Sequence, residues 1–413
     1  MNAAGSAGTE MGGGRRLAAL ILMAGVMLID GFDLNAMPLA VPHLLEGYGL
    51  PMTAFGTVFA AVLVGLGLGA VALGPLGDRL GRRVMIVAPC LAIGIATLAT
   101  ASATTIGAFV LWRFLTGLAL GACLPNVSAL SAELAPEGRR STVMAVVSAG
   151  IAIGAMAAGL LAPNIVAAAG WHGLFLLPGA IACLLAAGLW FVLPADADAT
   201  AQGRGASSLG LLRPLLELVR PPYLLPFAVF AGAYAVNAVA LYMITSWIPT
   251  LLPRQEGFSV DIAARISGFV QGGGLLFGIG LSWLLDRWKP GLALLCGYLI
   301  IAACFVAVRL VDPTPLNWSV LLLFAGGGIS GIHTALMAFT PKLFPSRILS
   351  SAMGLGVAIA RIGAIGGPYA GAALIDSGVS PGGYFAWVAL PALLCAAICL
   401  AAPAAIRARE RAE

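Results

Sequence analysis

Uninterrupted apolar runs, each about 20 residues or longer, recur along this sequence and constrain it more than any single motif. A run of that length crosses a hydrocarbon core of about 30 Å as a helix, at about 1.5 Å per residue. A membrane barrel would need alternating segments of about ten residues, which the sequence lacks. Hydrophobic residues make up 60% of the 413 positions and charged residues 9%. Soluble domains carry about 25% charged residues, so the solvent here is lipid. The 54 glycines fit this reading, because small residues let membrane helices approach closely. The seven cysteines all lie inside apolar runs without metal-ligand spacing, so neither a metal nor a cofactor is expected. The net charge of +5 comes from loop arginines and lysines and does not mark a nucleic-acid surface. The Gly-rich N-terminal tail and Arg15-Arg16 precede a segment too long for a signal core, so no cleavable signal peptide is expected.

Twelve spans are expected, at 17–45, 54–74, 84–103, 106–131, 141–165, 172–194, 223–252, 262–285, 290–311, 316–341, 350–376 and 382–404. Between the sixth and seventh, residues 195–222 gather charge among Gly, Ser and Pro and read as a linker, with a short surface helix over 209–219. The chain then divides into an N-terminal tail (1–16), a six-helix half (17–194), the linker (195–222), a second six-helix half (223–404) and a C-terminal tail (405–413). Arginines and lysines outside the spans crowd one side, including Arg15, Arg82, Arg139, Arg287 and Arg407, while the other side has Arg254, Arg265 and Arg309. The crowded side is expected to be cytoplasmic, with both termini inside.

The halves repeat. Leu134, Pro136, Ser141, Met144 and Gly154 recur as Leu343, Pro345, Ser350, Met353 and Gly363, an offset of 209 throughout. Asp78-Arg79 after the second span is echoed by Asp286-Arg287 after the eighth. The expected fold is an all-α integral membrane protein, with twelve transmembrane helices in two parallel six-helix repeats around a central cavity.

Within the first span stand Asp30 and Asp33, three residues apart and so on one helix face. Counted from a start near Leu17, they lie about 20 and 24 Å in. Intramembrane acids are costly and mark function, here a proton-coupling pair. Arg113, about 10 Å from the outer surface, matches the depth of Asp33 and is, with Arg361, a candidate to bind the substrate. A pair between them would hold Asp33 as its carboxylate and leave Asp30 the better proton carrier. Arg361 lies about 17 Å into the eleventh span and suits a carboxylate held by two donors. Phe32, Tyr234, Tyr242, Phe339 and Trp247 are candidates to wall an aromatic ring; Asn237 and His333 are candidates to bond a ring hydroxyl or second carboxylate. The loop Gly77-Asp78-Arg79-Leu80-Gly81-Arg82-Arg83 is the expected cytoplasmic gate, its glycines allowing a tight turn. Glu133, with Arg139 and Arg140, is expected to join the latch. The glycines and prolines of spans five and eleven, among them Gly150, Gly154, Gly363, Gly367 and Pro368, are expected to pack helices.

Together these segments resemble the aromatic acid:proton symporter family of the major facilitator superfamily, which includes benzoate and 4-hydroxybenzoate/protocatechuate permeases. The resemblance rests on Asp30-Gly31-Phe32-Asp33, the Gly77 to Arg83 loop, Arg113-Phe-Leu-Thr-Gly117 and the stretch from Arg361 to Pro368, and covers nearly the whole chain. It implies proton-coupled import of aromatic carboxylates by alternating access across the bacterial inner membrane, with Asp30, Asp33 and Arg361 at positions the family requires. The gate loop of the second half, from Leu285 to Pro290, is short and departs from the pattern. Among the superfamily's activities the competing reading is a proton-driven exporter of organic anions or drugs. An enzyme or sensor is not expected, since no nucleophile triad, metal cluster or soluble signalling domain is present. The expected partners are the aromatic acid, protons and the lipid bilayer, with no nucleic acid, and the chain is expected to act as a monomer.

Overall fold

The computed structural model describes residues 12–48, 52–74, 80–136, 139–193, 216–255 and 257–411. Twelve of the described helices are long and apolar enough to cross a membrane. The chain forms two compact units, Met1–Gly205 and Ala206–Glu413. The first holds α1 (Gly13–Tyr48), α2 (Ala54–Ala72), α3 (Arg82–Thr100), α4 (Ile106–Glu133), α5 (Arg140–Ala169) and α6 (Gly173–Val192). The second holds α7 (Leu224–Leu251), α8 (Val260–Arg287), α9 (Pro290–Leu310), α10 (Pro315–Phe339), α11 (Ser346–Asp376), α12 (Pro381–Cys399) and α13 (Ala402–Glu410). Most of the linker, and with it most of the surface helix expected over 209–219, lies outside the described residues; 216–218 form one helical turn.

The helices begin and end close to the expected limits, with one informative exception. The twelfth span was expected to reach 404, but α12 stops at Cys399 and α13 starts at Ala402. Pro403 falls in the first turn of α13, where a missing N–H costs nothing. Arg407 and Arg409 then lie in the last turn of α13, where cations are favoured. Four helices open on a hydroxyl cap: the side chains of Thr105, Ser259, Thr314 and Ser380 accept from the N–H groups of Ala108, Ile262, Asn317 and Gly383.

The outer faces are apolar. Val71, Leu184, Phe191, Leu276, Leu310 and Ile362 are all exposed on long helices, whereas Asp30, Asp33 and Arg113 are buried. That inversion of the soluble pattern is what a lipid solvent selects.

Both units pair their helices alike. In the first, α1 packs on α5, α2 on α4, and α3 on α4 and α6. In the second, α7 packs on α11, α8 on α10, and α9 on α10 and α12, the same pattern six helices on. Glycines bring the paired backbones together. A Cβ at Gly154 would run into the Leu28 carbonyl, and one at Gly363 into the Ala235 carbonyl. Gly117 and Gly121 press on α2 at Val62 and Leu66, as Gly327 and Gly331 press on α8 at Gly273 and Gly278. In membranes such close approach replaces the missing hydrophobic drive between helices.

Candidate functional site

Each unit buries its own polar cluster. In the first, α1 carries Asp33 and α4 carries Arg113, respectively 0% and 1% exposed. The guanidinium grips the carboxylate at both ends: Arg113 Nη1 donates to Asp33 Oδ2 at 2.8 Å, and Nη2 to Oδ1 at 3.1 Å. The expected pair is therefore formed. Threonines cage it. Thr97 of α3 donates to Asp33 Oδ1 at 2.8 Å, and Arg113 Nη2 also lies within 3.4 Å of the hydroxyls of Thr97, Thr100 and Thr116. Phe175 of α6 puts its ring under the guanidinium, 5.3 Å from centroid to Cζ. A buried ion pair repays its desolvation only with good geometry and extra hydrogen bonds, and this one has both. Asp30 lies one turn before it on α1, also buried at 1% exposure, with the Cys123 thiol of α4 in electrostatic reach. Phe32, between the two acids, is buried at 4% exposure.

The second unit builds a neutral cluster beside a cation. Asn237 of α7 is buried and central: its Nδ2 donates to the Ile329 carbonyl at 3.3 Å and faces His333 Nδ1 of α10 at 3.1 Å. Its Oδ1 accepts from the Tyr298 hydroxyl of α9 at 3.0 Å. Tyr234 stacks on the His333 imidazole, 4.1 Å between centroids at 13°, and Phe230 stacks behind Tyr234 at 5.5 Å. Arg361 of α11 is half-buried and within electrostatic reach of both Tyr234 and His333. It makes no hydrogen bond or ion pair among the described residues. Tyr242 is half-buried, and its hydroxyl is in electrostatic reach of Tyr234. Phe339 is fully buried at the end of α10. Trp247 is buried as well, with its indole N–H donating to the Pro368 carbonyl at 3.0 Å.

Of the gate residues, Gly77, Asp78 and Arg79 lie outside the described residues. Gly81 holds φ at 91°, a left-handed conformation that favours glycine, at the entry to α3. Arg82 pairs with Glu133 at 2.8 Å, tying the start of α3 to the end of α4. Arg83 lies over the Trp190 ring at 4.2 Å and donates to the Trp190 carbonyl. Arg140 opens α5, exposed at the same end of the unit's helices. In the second unit Lys342 pairs with Asp286 at 3.2 Å.

The sequence singles out Asp30, Asp33, Arg113, Arg361, Asn237 and His333, with Asn237 and His333 as ligands for the substrate, whereas the structure sets those two against each other; it does not single out the groups around them. Thr97, Thr100 and Thr116 stand at helical spacing to one another or to Arg113, but a helix hydroxyl can bond its own backbone, as Thr100 and Thr116 also do, so the spacing alone carries little signal. Tyr298 and the Ile329 carbonyl gave no signal, since each is defined only by what folds against it.

A model described as the Major Facilitator Superfamily matches residues 22–368. The chain is 31% identical to the 4-hydroxybenzoate transporter PcaK of Pseudomonas aeruginosa, over 91% of this chain and 90% of that protein. It is 30% identical to the gallate transporter of Pseudomonas putida, over 92% and 90%. Among solved structures, a bacterial homologue of the human lysosomal transporter Spinster superposes with a TM-score of 0.74 at 17% identity, covering 97% of this chain and 98% of that one.

Proposed function

Because the chain belongs to the major facilitator superfamily, a family of multi-pass membrane carriers, we propose that it imports aromatic carboxylates with protons by alternating access. The observation that carries this reading is Arg361. A guanidinium in a membrane-depth helix needs an anion, and this one makes no ion pair among the described residues. A carboxylate suits its two-pronged donor geometry. Stacked aromatic and hydrogen-bonding side chains in electrostatic reach suit the rest of an aromatic acid. The names of its relatives, transporters of 4-hydroxybenzoate and gallate, support the same substrate class.

Proton coupling falls to Asp30. Asp33 is gripped by both ends of Arg113 and by Thr97, so Arg113 serves as its fixed counter-ion in place of the substrate ligand expected from the sequence. Asp30, buried one turn before Asp33 on the same helix face, is the acid to which this reading gives the proton. The loop at Gly77 to Arg83, with Glu133 and Arg140, is the cytoplasmic latch of the first half, and its arginines support a bacterial inner-membrane orientation with both termini inside. One chain contains both repeats, which supports a working monomer.

Proteoliposomes holding the purified protein test this reading. With an inward proton gradient, labelled 4-hydroxybenzoate should accumulate above equilibrium, and an uncoupler should abolish that accumulation. No uptake, or uptake indifferent to the uncoupler, overturns it. Net efflux driven by the opposite gradient alone would favour an exporter.

A further inference from the structure

We propose that His333 selects among aromatic acids, by donating its Nε2–H to an oxygen on the substrate ring. The inference rests on the aromatic-acid reading above and deepens it from an anion site to a site for ring-hydroxylated acids.

The argument starts from a group with no choice. The Ile329 carbonyl can only accept, so the atom of Asn237 facing it at 3.3 Å must be the amide nitrogen. The other end of the amide, Oδ1, then accepts from the Tyr298 hydroxyl at 3.0 Å. With the amide fixed at both ends, its nitrogen also presents an N–H to His333 Nδ1 at 3.1 Å. A ring nitrogen that faces a donor must accept. The imidazole is thereby set as the tautomer with its proton on Nε2.

The ring is also fixed in plane. Tyr234 covers one face at 4.1 Å, nearly parallel, and Phe230 backs Tyr234. His333 is only half-buried, and Nε2 makes no hydrogen bond among the described residues. A donor held in one tautomer and one plane, beside a guanidinium, suits a ligand with a carboxylate at one end and a hydrogen-bond acceptor on its ring. A phenolic oxygen is such an acceptor. An aryl amine is not, because its lone pair is delocalised into the ring. Leaving the fixed donor without an acceptor penalises the unsubstituted acid.

The test is a binding series on the full-length wild-type carrier in nanodiscs: benzoate, and its hydroxy, methoxy and amino derivatives at positions 3 and 4. At least one hydroxybenzoate should bind about three- to tenfold more tightly than benzoate, and the amino derivative at that position should show no such gain. The methoxy derivative, which accepts but cannot donate, should keep part of the gain. In His333→Phe, which keeps a flat ring but loses the donor, the hydroxybenzoate-to-benzoate Kd ratio should fall close to one. Equal binding of benzoate and every hydroxybenzoate by the wild type, an equal gain for the amino derivative, or an undiminished preference in His333→Phe overturns the inference. If the variant does not fold, the wild-type series decides alone. If no aromatic acid binds at all, the parent reading fails instead.

Discussion

Asp30 and Asn237 stand at equivalent points of the two repeats. Gly154 presses on the backbone of α1 at Leu28, and its counterpart Gly363 presses on α7 at Ala235; from those anchors, two residues further along each helix lie Asp30 and Asn237. The second partner matches too. Gly117 and Gly121 of α4 correspond to Gly327 and Gly331 of α10, and that register carries Cys123 onto His333. So the same pair of positions holds an acid in reach of a thiol in one unit, and an amide bonded to an imidazole in the other. The scaffold was duplicated while the polar chemistry diverged. The first unit keeps titratable and ion-paired groups, and the second keeps neutral donors and a permanent cation. This fits a division in which one repeat handles the proton and the other reads the substrate.

The sharpest way to break that division is to neutralise the acid. Asp30→Asn gives the first repeat an amide, as the second already has at Asn237. Accumulation of substrate against a gradient, driven by pH, should vanish, because an amide carries no proton; binding measured at equilibrium should survive. Uptake to wild-type levels under a pH gradient by the purified variant would remove Asp30 from the coupling role.

The next largest effect is expected in the second unit. Arg361→Ala removes the cation and should weaken aromatic acid binding by about 10- to 100-fold, the range for a hydrogen bond to a charged group. Arg361→Lys keeps the charge without the fork and should retain part of the affinity. The neutral amide of a transported acid should bind poorly to the wild type. Near wild-type affinity of Arg361→Ala for the acid, read by calorimetry, would place the anion site elsewhere.

How much of this division was legible in the sequence depends on the kind of signal. Span limits were legible because an apolar run has to match a bilayer, and the one misplaced end, at Cys399, involves a helix break that hydropathy alone does not register. The pairing of Asp33 with Arg113 followed from depth, since two charges at one level of a membrane must find each other. The threonine cage was not singled out, because a hydroxyl in a helix can bond its own backbone and so raises no alarm; Thr116 in fact also donates to the Trp112 carbonyl. The fixed tautomer of His333 was out of reach. It depends on a carbonyl and a phenol that meet Asn237 from positions 92 and 61 residues away.

A third prediction separates the two acids within the first unit. If Asp33 is a structural partner, removing either member of the pair strands the other charge in a dry site, at a cost of about 3–5 kcal/mol. Asp33→Asn and Arg113→Gln should each lower the thermal unfolding midpoint strongly, while the double variant should lose less than the two single losses combined. Asp30→Asn leaves the Asp33–Arg113 pair intact and should lower the midpoint less than Asp33→Asn does. Additive losses in the double variant would show that the two groups are not coupled, and the contrast between Asp30 and Asp33 would go with them.

The smallest effect is expected at the exposed ends, where the repeats differ by inverted charge. The 209-residue offset carries Glu133 onto Lys342. Glu133 pairs with Arg82 at 2.8 Å, and Lys342 with Asp286 at 3.2 Å, so each unit ties two helices with the opposite sign at the shared position. The side chains are 27% and 41% exposed in the first pair, 31% and 77% in the second. Pairs this open to solvent contribute less than about 1 kcal/mol and are screened by salt. Glu133→Gln and Lys342→Met should therefore shift the unfolding midpoint by less than about 3 °C. If these contacts also latch one state of the carrier, turnover at saturating substrate should change in both variants while substrate Kd stays put. A gate confined to the first repeat, as the degenerate second loop suggested, would give a turnover effect for Glu133→Gln alone. Unchanged turnover in both would reduce the two ion pairs to surface contacts, and the gating role would then rest on the Gly77 to Arg79 loop.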